Sequence, residues 1–272
     1  MVENILDNVL PMKQFIGTVL PPVEPIILPD LLTKGGWGLL FGEQETYKSW
    51  AALDLAWGVS QGGRWLGHWQ VSKQSVLLVN TEIPSGLYQQ RCMSMVKFYK
   101  SWNKVFVVNH QAGMLNRPGL MNSWCDRVRP GLIIVDNLYR AVQTELNSGA
   151  AVNDFLQMLI NIREKYNTAM IFVHHARKKE YDIRAKSRVY QGVEDATGSK
   201  FLVNNASLIF EFRNFEHPVY KGVKYVQVIR EKASFMQAES PASGGKENVF
   251  RVDSKRLDEL HTVPVFTRVA IP

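Results

Sequence analysis

The apolar positions of this chain fall in short runs, and the runs alternate with segments of helical periodicity. Trp37 to Phe41 is an apolar run that stops at Gly42. Ser75 to Asn80 (SVLLVN), Val105 to Val108, Leu132 to Val135 (LIIV) and Ala169 to Val173 (AMIFV) repeat the pattern. Each is strand-length and lacks a polar face, so each predicts a strand buried on both sides. Between them lie Trp50 to Val59 (WAALDLAWGV), rich in Ala and Leu, and the segment from Pro84 to Lys100, which sets Pro in a first helical turn. Phe155, Met158, Leu159 and Ile162 recur at the spacing of one helix face. Buried strands separated by helices predict an α/β fold, with a mostly parallel central sheet flanked by helices.

The two ends break this rhythm. Residues 1–30 are rich in Pro and apolar side chains (VLPPVEPIILPDLL). Pro neither donates to a ladder nor continues a helix, so an extended lead-in on the domain surface is expected there, with residues 31–272 as a single domain. After residue 200 the helical pattern stops. Ala206 to Phe212, Val223 to Ile229 and Asn248 to Val252 read as β segments, with a Ser-Gly-Gly turn at 243–245. They predict an antiparallel β extension at the C-terminal edge, about 206–272.

Composition narrows the class. The chain has 272 residues, 46% hydrophobic and 21% charged, which suits one large globular domain. Cys92 and Cys125 are far apart and neither has a CxxC partner, which argues against a disulfide framework or zinc knuckle and for a reducing, cytoplasmic setting. The opening MVENILDNVLPMKQFIG lacks the basic and apolar regions of a signal peptide. No apolar run approaches the ~20 residues of a membrane span. The net charge is +7, and its placement matters more than its size. Between positions 177 and 188, Arg177, Lys178, Lys179, Arg184, Lys186 and Arg188 stand against only Glu180 and Asp182. Such a cluster is an electrostatic footprint for a phosphate backbone, or else a solvated loop.

The segment LLFGEQETYKSWAALDLA carries the strongest chemical signal. It sets strand, loop and helix in the order of a P-loop, and Gly42-x-x-x-x-Tyr47-Lys48-Ser49 matches G-x-x-x-x-G-K-[ST] at all defined positions but one. Loop amides and a helix N-terminus converge on an anion. The binding segment is Gly42, Glu43, Gln44, Glu45, Thr46, Tyr47, Lys48, Ser49 and Trp50. Lys48 would meet the β- and γ-phosphates of ATP, and Ser49 would ligate Mg²⁺. Tyr47 stands where glycine is usual, so its side chain must point away from the phosphates.

Acids at neighbouring strand ends complete the expected site. Asp136 closes GLIIVD, the context of an acid that holds Mg²⁺; the bland alternative is an Asp that caps the next element. Glu82 follows SVLLVN and precedes Pro84. It is a candidate to polarise the attacking water, or an exposed Glu favoured by a helix dipole. His174 and His175 end AMIFV and point to opposite faces. One of them is a candidate contact for the γ-phosphate, and with no third ligand nearby a structural metal is not expected.

LLFGEQETYKSWAALDLAWGVSQGGRWLG, VLLVNTEIPSGLYQQR, LIIVDNL and IFVHHARK together resemble the RecA-fold ATPases of the RepA-type hexameric replicative helicase group, typified by plasmid and phage replication proteins. The resemblance runs from about Leu28 to Lys232. It implies that Lys48 and Ser49 are the Walker A pair, Glu82 the catalytic glutamate, Asp136 the Walker B aspartate and His175 the sensor histidine. It implies a finger reaching a neighbouring subunit from the late β segments, for which Arg230 and Lys232, and after them Arg213, are candidates. It also implies nucleic-acid-contacting loops at Leu138 to Val152 and Arg177 to Gly192, with Tyr181 or Tyr190 available for stacking.

The function so implied is an ATP-hydrolysing helicase or translocase. It would work as a hexameric ring on single-stranded DNA or RNA, with ATP sites between subunits and a loader or primase as partner. Two alternatives stay open. One is a nucleic-acid-binding protein whose ATP site is regulatory or inactive, which Tyr47 motivates. The other is a filament-forming recombinase.

Overall fold

A computed structural model describes residues 10–17, 22–109, 113–142, 149–175, 181–182, 187–188, 200–234 and 247–270. In chain order the elements are α1 (Met12–Gly17), the hairpin β1 (Pro25–Ile27) and β2 (Leu32–Thr33), β3 (Trp37–Gly42), α2 (Lys48–Gln61), the hairpin β4 (Arg64–Trp65) and β5 (Trp69–Gln70), β6 (Val76–Asn80), α3 (Ser85–Phe98) and β7 (Val105–Asn109). Then come α4 (Pro118–Val128), β8 (Leu132–Asp136), α5 (Leu138–Val142), α6 (Gly149–Tyr166), β9 (Ala169–His175), the short hairpin β10 (Tyr181–Asp182) and β11 (Ser187–Arg188), and α7 (Lys200–Asn205). Four strands close the chain: β12 (Leu208–Phe215), β13 (Tyr225–Ala233), β14 (Glu247–Arg256) and β15 (Thr262–Val269).

Nine strands make one sheet in the order β15-β14-β13-β12-β3-β9-β8-β6-β7. Neighbours from β12 through β7 run parallel, and β12 to β15 form an antiparallel meander. The apolar runs are strands because each feeds two cores. Leu40 of β3, Val76 and Leu78 of β6, and Leu132 and Ile134 of β8 face α2 and α3. The alternate residues, Leu39 and Phe41, Leu77 and Val79, Ile133 and Val135, face α4, α5 and α6. Continuous burial on both faces is what a parallel sheet covered by helices requires.

Four features differ from the expectation. The lead-in is not wholly superficial: its Ile26 and Ile27 are fully buried, as are Leu31 and Leu32 just beyond it, because β1 and β2 fold a short apolar hairpin onto the α2 side of the core. Within the same lead-in, residues 12–17 are helical rather than extended. The antiparallel extension begins at β13, since β12 lies parallel to β3. Its last strand, β15, was invisible to patterning because Thr262–Val269 is only partly buried and does not alternate cleanly.

The helix that carries the phosphate loop is anchored well below its tip. Asp54, in mid-α2, is 4% exposed. Its carboxylate accepts from the Leu66 amide at 2.6 Å and the Tyr99 hydroxyl at 2.7 Å. Trp65 Nε1 donates to the Ala51 carbonyl at 2.8 Å. Burial pushes the Asp54 carboxyl up from 3.8 to about 6. The folded state therefore favours the protonated form. Its stabilising contribution is full below about pH 4 and is lost as pH rises through 6, a change on the order of 3 kcal/mol. Urea unfolding followed across this window should show that decline in the wild type. Asp54→Asn, which cannot titrate, should not show it.

Candidate active site

The loop between β3 and α2 is shaped by a close approach. A Cβ on Gly42 would lie 2.2 Å from the Phe212 carbonyl oxygen of β12, so only glycine lets the chain turn there. Glu45 and Tyr47 both have positive φ, 61° and 62°, and α2 begins directly after them. Thr46 Oγ1 donates to the Glu43 carbonyl at 2.9 Å. The buried Lys48 ammonium donates to the same carbonyl and to Thr46 Oγ1 at 3.1 Å. Of its three donors, one is left to face the cavity. Burial lowers the Lys48 ammonium to about 8, against the pull of Asp136, Glu82 and Glu43. Gln44 is exposed and Trp50 half-buried at the loop's margins.

The parallel register lines up the acids. Asn80 of β6 pairs with Asp136 of β8, Asp136 with Val173 of β9, and His175 with Gly42. Asp136 is 6% exposed and is hydrogen-bonded to Ser49. Burial pushes its carboxyl above the ordinary range, opposed by that hydrogen bond. Its Oδ1 is buried with no hydrogen-bond partner among the described residues. A buried carboxylate oxygen without a donor, beside a serine hydroxyl, suits a hard cation. Among the described residues no cluster of three or more His, Cys, Asp or Glu offers a metal site by itself. Mg²⁺ would thus be held by Ser49 and Asp136 with the nucleotide's own phosphates.

Glu82 is fixed in place from several sides. Asn80 Oδ1 accepts from the amides of Glu82 and Ile83 at 3.3 and 3.1 Å, which shapes the turn after β6. Asn137 Nδ2 donates to Glu82 Oε2 at 2.6 Å. His175 Nε2 lies 3.3 Å from Glu82 Oε1 and 3.1 Å from Asn137 Nδ2. The His175 contact, with Asn137 and the charge of Arg140, holds the Glu82 carboxyl below its usual range in spite of burial, so it is an ionised acceptor at neutral pH. His174 packs on the other face, 2% exposed.

Lys48, Ser49, Trp50, Glu82 and His175 line one cavity of about 760 Å³, with Glu45, Thr46 and Tyr47. This volume is in the range of small-molecule sites. Arg91 of α3 also lines it, its guanidinium 5.0 Å from the Trp50 ring centroid.

Residues 5–180 match the family model described as AAA domain, which is more than half of the chain. The chain belongs to the AAA domain family. No curated protein matches it. Among solved structures, this AAA domain is similar to the flagellar accessory protein FlaH from Methanocaldococcus jannaschii, with 16% identity and a TM-score of 0.56 over 87% of this chain and 90% of that one. It is also similar to a KaiC-like protein from the hyperthermophilic archaeon Pyrococcus horikoshii, with 14% identity and a TM-score of 0.53 over 89% and 99%. At these identities the likeness is one of fold, a RecA-like P-loop ATPase fold.

Other expected residues of the AAA domain stand apart from the cavity. Lys232 donates to the carbonyls of Val203 and Asn204 at 3.1 and 2.7 Å and so caps α7. Arg230 is 6% exposed within the sheet, and Arg213 is paired with Glu211 at 2.6 Å. None of the three lines the cavity of its own chain. The loop expected from Leu138 opens instead as helix α5, with Leu138, Ala141 and Val142 buried. Of the basic stretch, Arg188 lies in the short β10–β11 hairpin, while Arg177, Lys178, Lys179, Arg184, Lys186 and Tyr190 lie outside the described residues. Asn137, Asn80 and Arg91 were missed. The Asn directly after Asp136 in LIIVDNL was the available signal for the first.

The Gly42 contact has a direct test. Gly42→Ala should cost roughly 1–3 kcal/mol in urea unfolding, the usual penalty of overpacking, and should weaken nucleotide binding because β12 and the loop must separate.

Proposed function

We propose that this AAA domain is an ATP-hydrolysing motor on nucleic acid, a ring-forming helicase or translocase on single-stranded DNA or RNA of the RepA type. One observation carries it: Glu82, His175 and Asn137 share a hydrogen-bonded cluster beside Lys48, Ser49 and Asp136. A site that only stored nucleotide would not need an ionised carboxylate held at the γ-phosphate end.

The roles follow from position. Lys48 binds and orients the β- and γ-phosphates. Ser49 and Asp136 would hold Mg²⁺, which when bound neutralises charge on those phosphates. Glu82 orients the attacking water and accepts its proton. His175 is both Glu82's partner and the last residue of β9, and the basic stretch follows it immediately. Loss of the γ-phosphate would change the partners of His175 and so move the root of that stretch, which would couple turnover to grip on a phosphate backbone. In a hexameric ring these stretches would line one channel, ATP would sit between subunits, and a loader or primase would place the ring on its strand. A cytoplasmic setting fits this work, and among the described residues no helix is long and apolar enough to cross a membrane.

The regulatory alternative draws on Tyr47, whose left-handed backbone stands in the phosphate loop. Turnover separates the two. Glu82→Gln should bind ATP as the wild type does yet lose nearly all nucleic-acid-stimulated phosphate release; equal release would remove Glu82 from the chemistry. Neutralising Arg177, Lys178, Lys179, Arg184, Lys186 and Arg188 together should weaken single-strand binding. It should also reduce the log–log salt slope by up to roughly 4. An unchanged slope would place the contact elsewhere.

A further inference from the structure

Tyr47 occupies a backbone position where a side chain is a burden. Its φ of 62° is left-handed, a region strained for residues with a Cβ and open to glycine. Its ring is nonetheless held in place. It meets Phe266 of β15 edge-on at 6.2 Å and 90°. The Lys224 ammonium stands 6.0 Å from its centroid, at the outer limit of a cation–π contact.

The ring also lines the cavity that begins at Lys48 and Ser49. Away from the phosphate loop the lining is Asn214, Phe215, Val223, Lys224 and Tyr225 at the β12–β13 hairpin, with Lys224 its one charged group. Phe215 and Tyr225 are register partners. The His217 ring lies 5.0 Å from both Tyr220 and Tyr225. Its Nδ1 accepts from the amides of Val219 and Tyr220 at 3.2 and 3.3 Å.

We propose that Tyr47 is the stacking platform for the base of the bound nucleoside triphosphate, and that the site accepts ATP and GTP alike. The inference rests on the assignment of the phosphate loop as an ATP site. A triphosphate has two ends. Its γ end belongs beside Glu82, where water is activated. Its nucleoside end therefore points away from Glu82, toward the β12–β13 side. There Tyr47 lines the cavity next to the cradle, and the exposed Lys224 ammonium, 6.0 Å from the ring centroid, would have to give way to a base stacked on that side. A single ring reads no base edge, and every base has a π-face, so stacking here gives affinity without strict choice of base.

The test is calorimetric titration of the full chain with Mg-ATP, Mg-GTP and Mg-tripolyphosphate, the last lacking a nucleoside. Tyr47→Gly suits the backbone at φ 62° and should fold. It should weaken ATP and GTP by roughly ten- to a hundredfold, the usual effect of losing one stacking ring, while tripolyphosphate binds as before. Tyr47→Phe should keep nucleotide affinity within a few-fold. An unchanged ratio of ATP to tripolyphosphate affinity in Tyr47→Gly would overturn the platform alone. A wild type that bound neither ATP nor tripolyphosphate would overturn the phosphate-loop assignment and the platform with it.

Discussion

The site depends on one hydrogen-bonded constraint, the parallel ladder that runs through β6, β8, β9 and β3. Its register sets Asn80 beside Asp136, Asp136 beside Val173, and His175 beside Gly42. Because all four strands point the same way, their C-terminal ends form one edge. Residues far apart in sequence then project from it together, in the crevice where open parallel sheets bind ligands. A slip of one residue in any strand would turn its site residue to the opposite face and its apolar partners out of their core. Both buried cores thus hold the register, and the register holds the site.

That edge gathers charges that water would otherwise stabilise. Lys48 and Asp136 are almost fully buried, and burial shifts both toward their neutral forms. Each is left short of partners in a particular way. Lys48 leans on a loop carbonyl, and Asp136 keeps a bare oxygen. A bound triphosphate with its cation supplies the countercharge each lacks, so ligand binding would relieve an electrostatic cost built into the folded chain. Glu82 is treated differently. Its hydrogen bonds hold it ionised.

The C-terminal meander is more than an edge extension. β12 crowds Gly42 and so dictates glycine there. β15 brings Phe266 to Tyr47. Lys224, just before β13, lies 6.0 Å from the same ring's centroid. The phosphate loop is therefore shaped on one side by the parallel sheet and on the other by strands that lie far beyond it in the chain.

Much of this was legible in the chain itself, for a physical reason. Strands buried on both faces must be apolar throughout, so β3, β6, β8 and β9 announced themselves, whereas β7 carries the same apolar run at the sheet edge with Phe106 and Val107 exposed rather than buried; G-x-x-x-x-Tyr-Lys-Ser between a strand and a helix marked the anion cradle by local chemistry alone. Asp136 and His175 were readable as candidates because each ends such a strand, and Glu82 because it follows one by two residues. Features that arise from contacts between distant segments were not readable. Ile26 and Ile27 look like part of a Pro-rich tail until β1 folds them onto the core. Lys232 looks like an available cation until α7 presents its carbonyls. Asn137 looks like a residue after an acid until β6 and β9 bring Glu82 and His175 to its amide. Local sequence determines which elements form and which residues end them; only packing decides which of those residues meet.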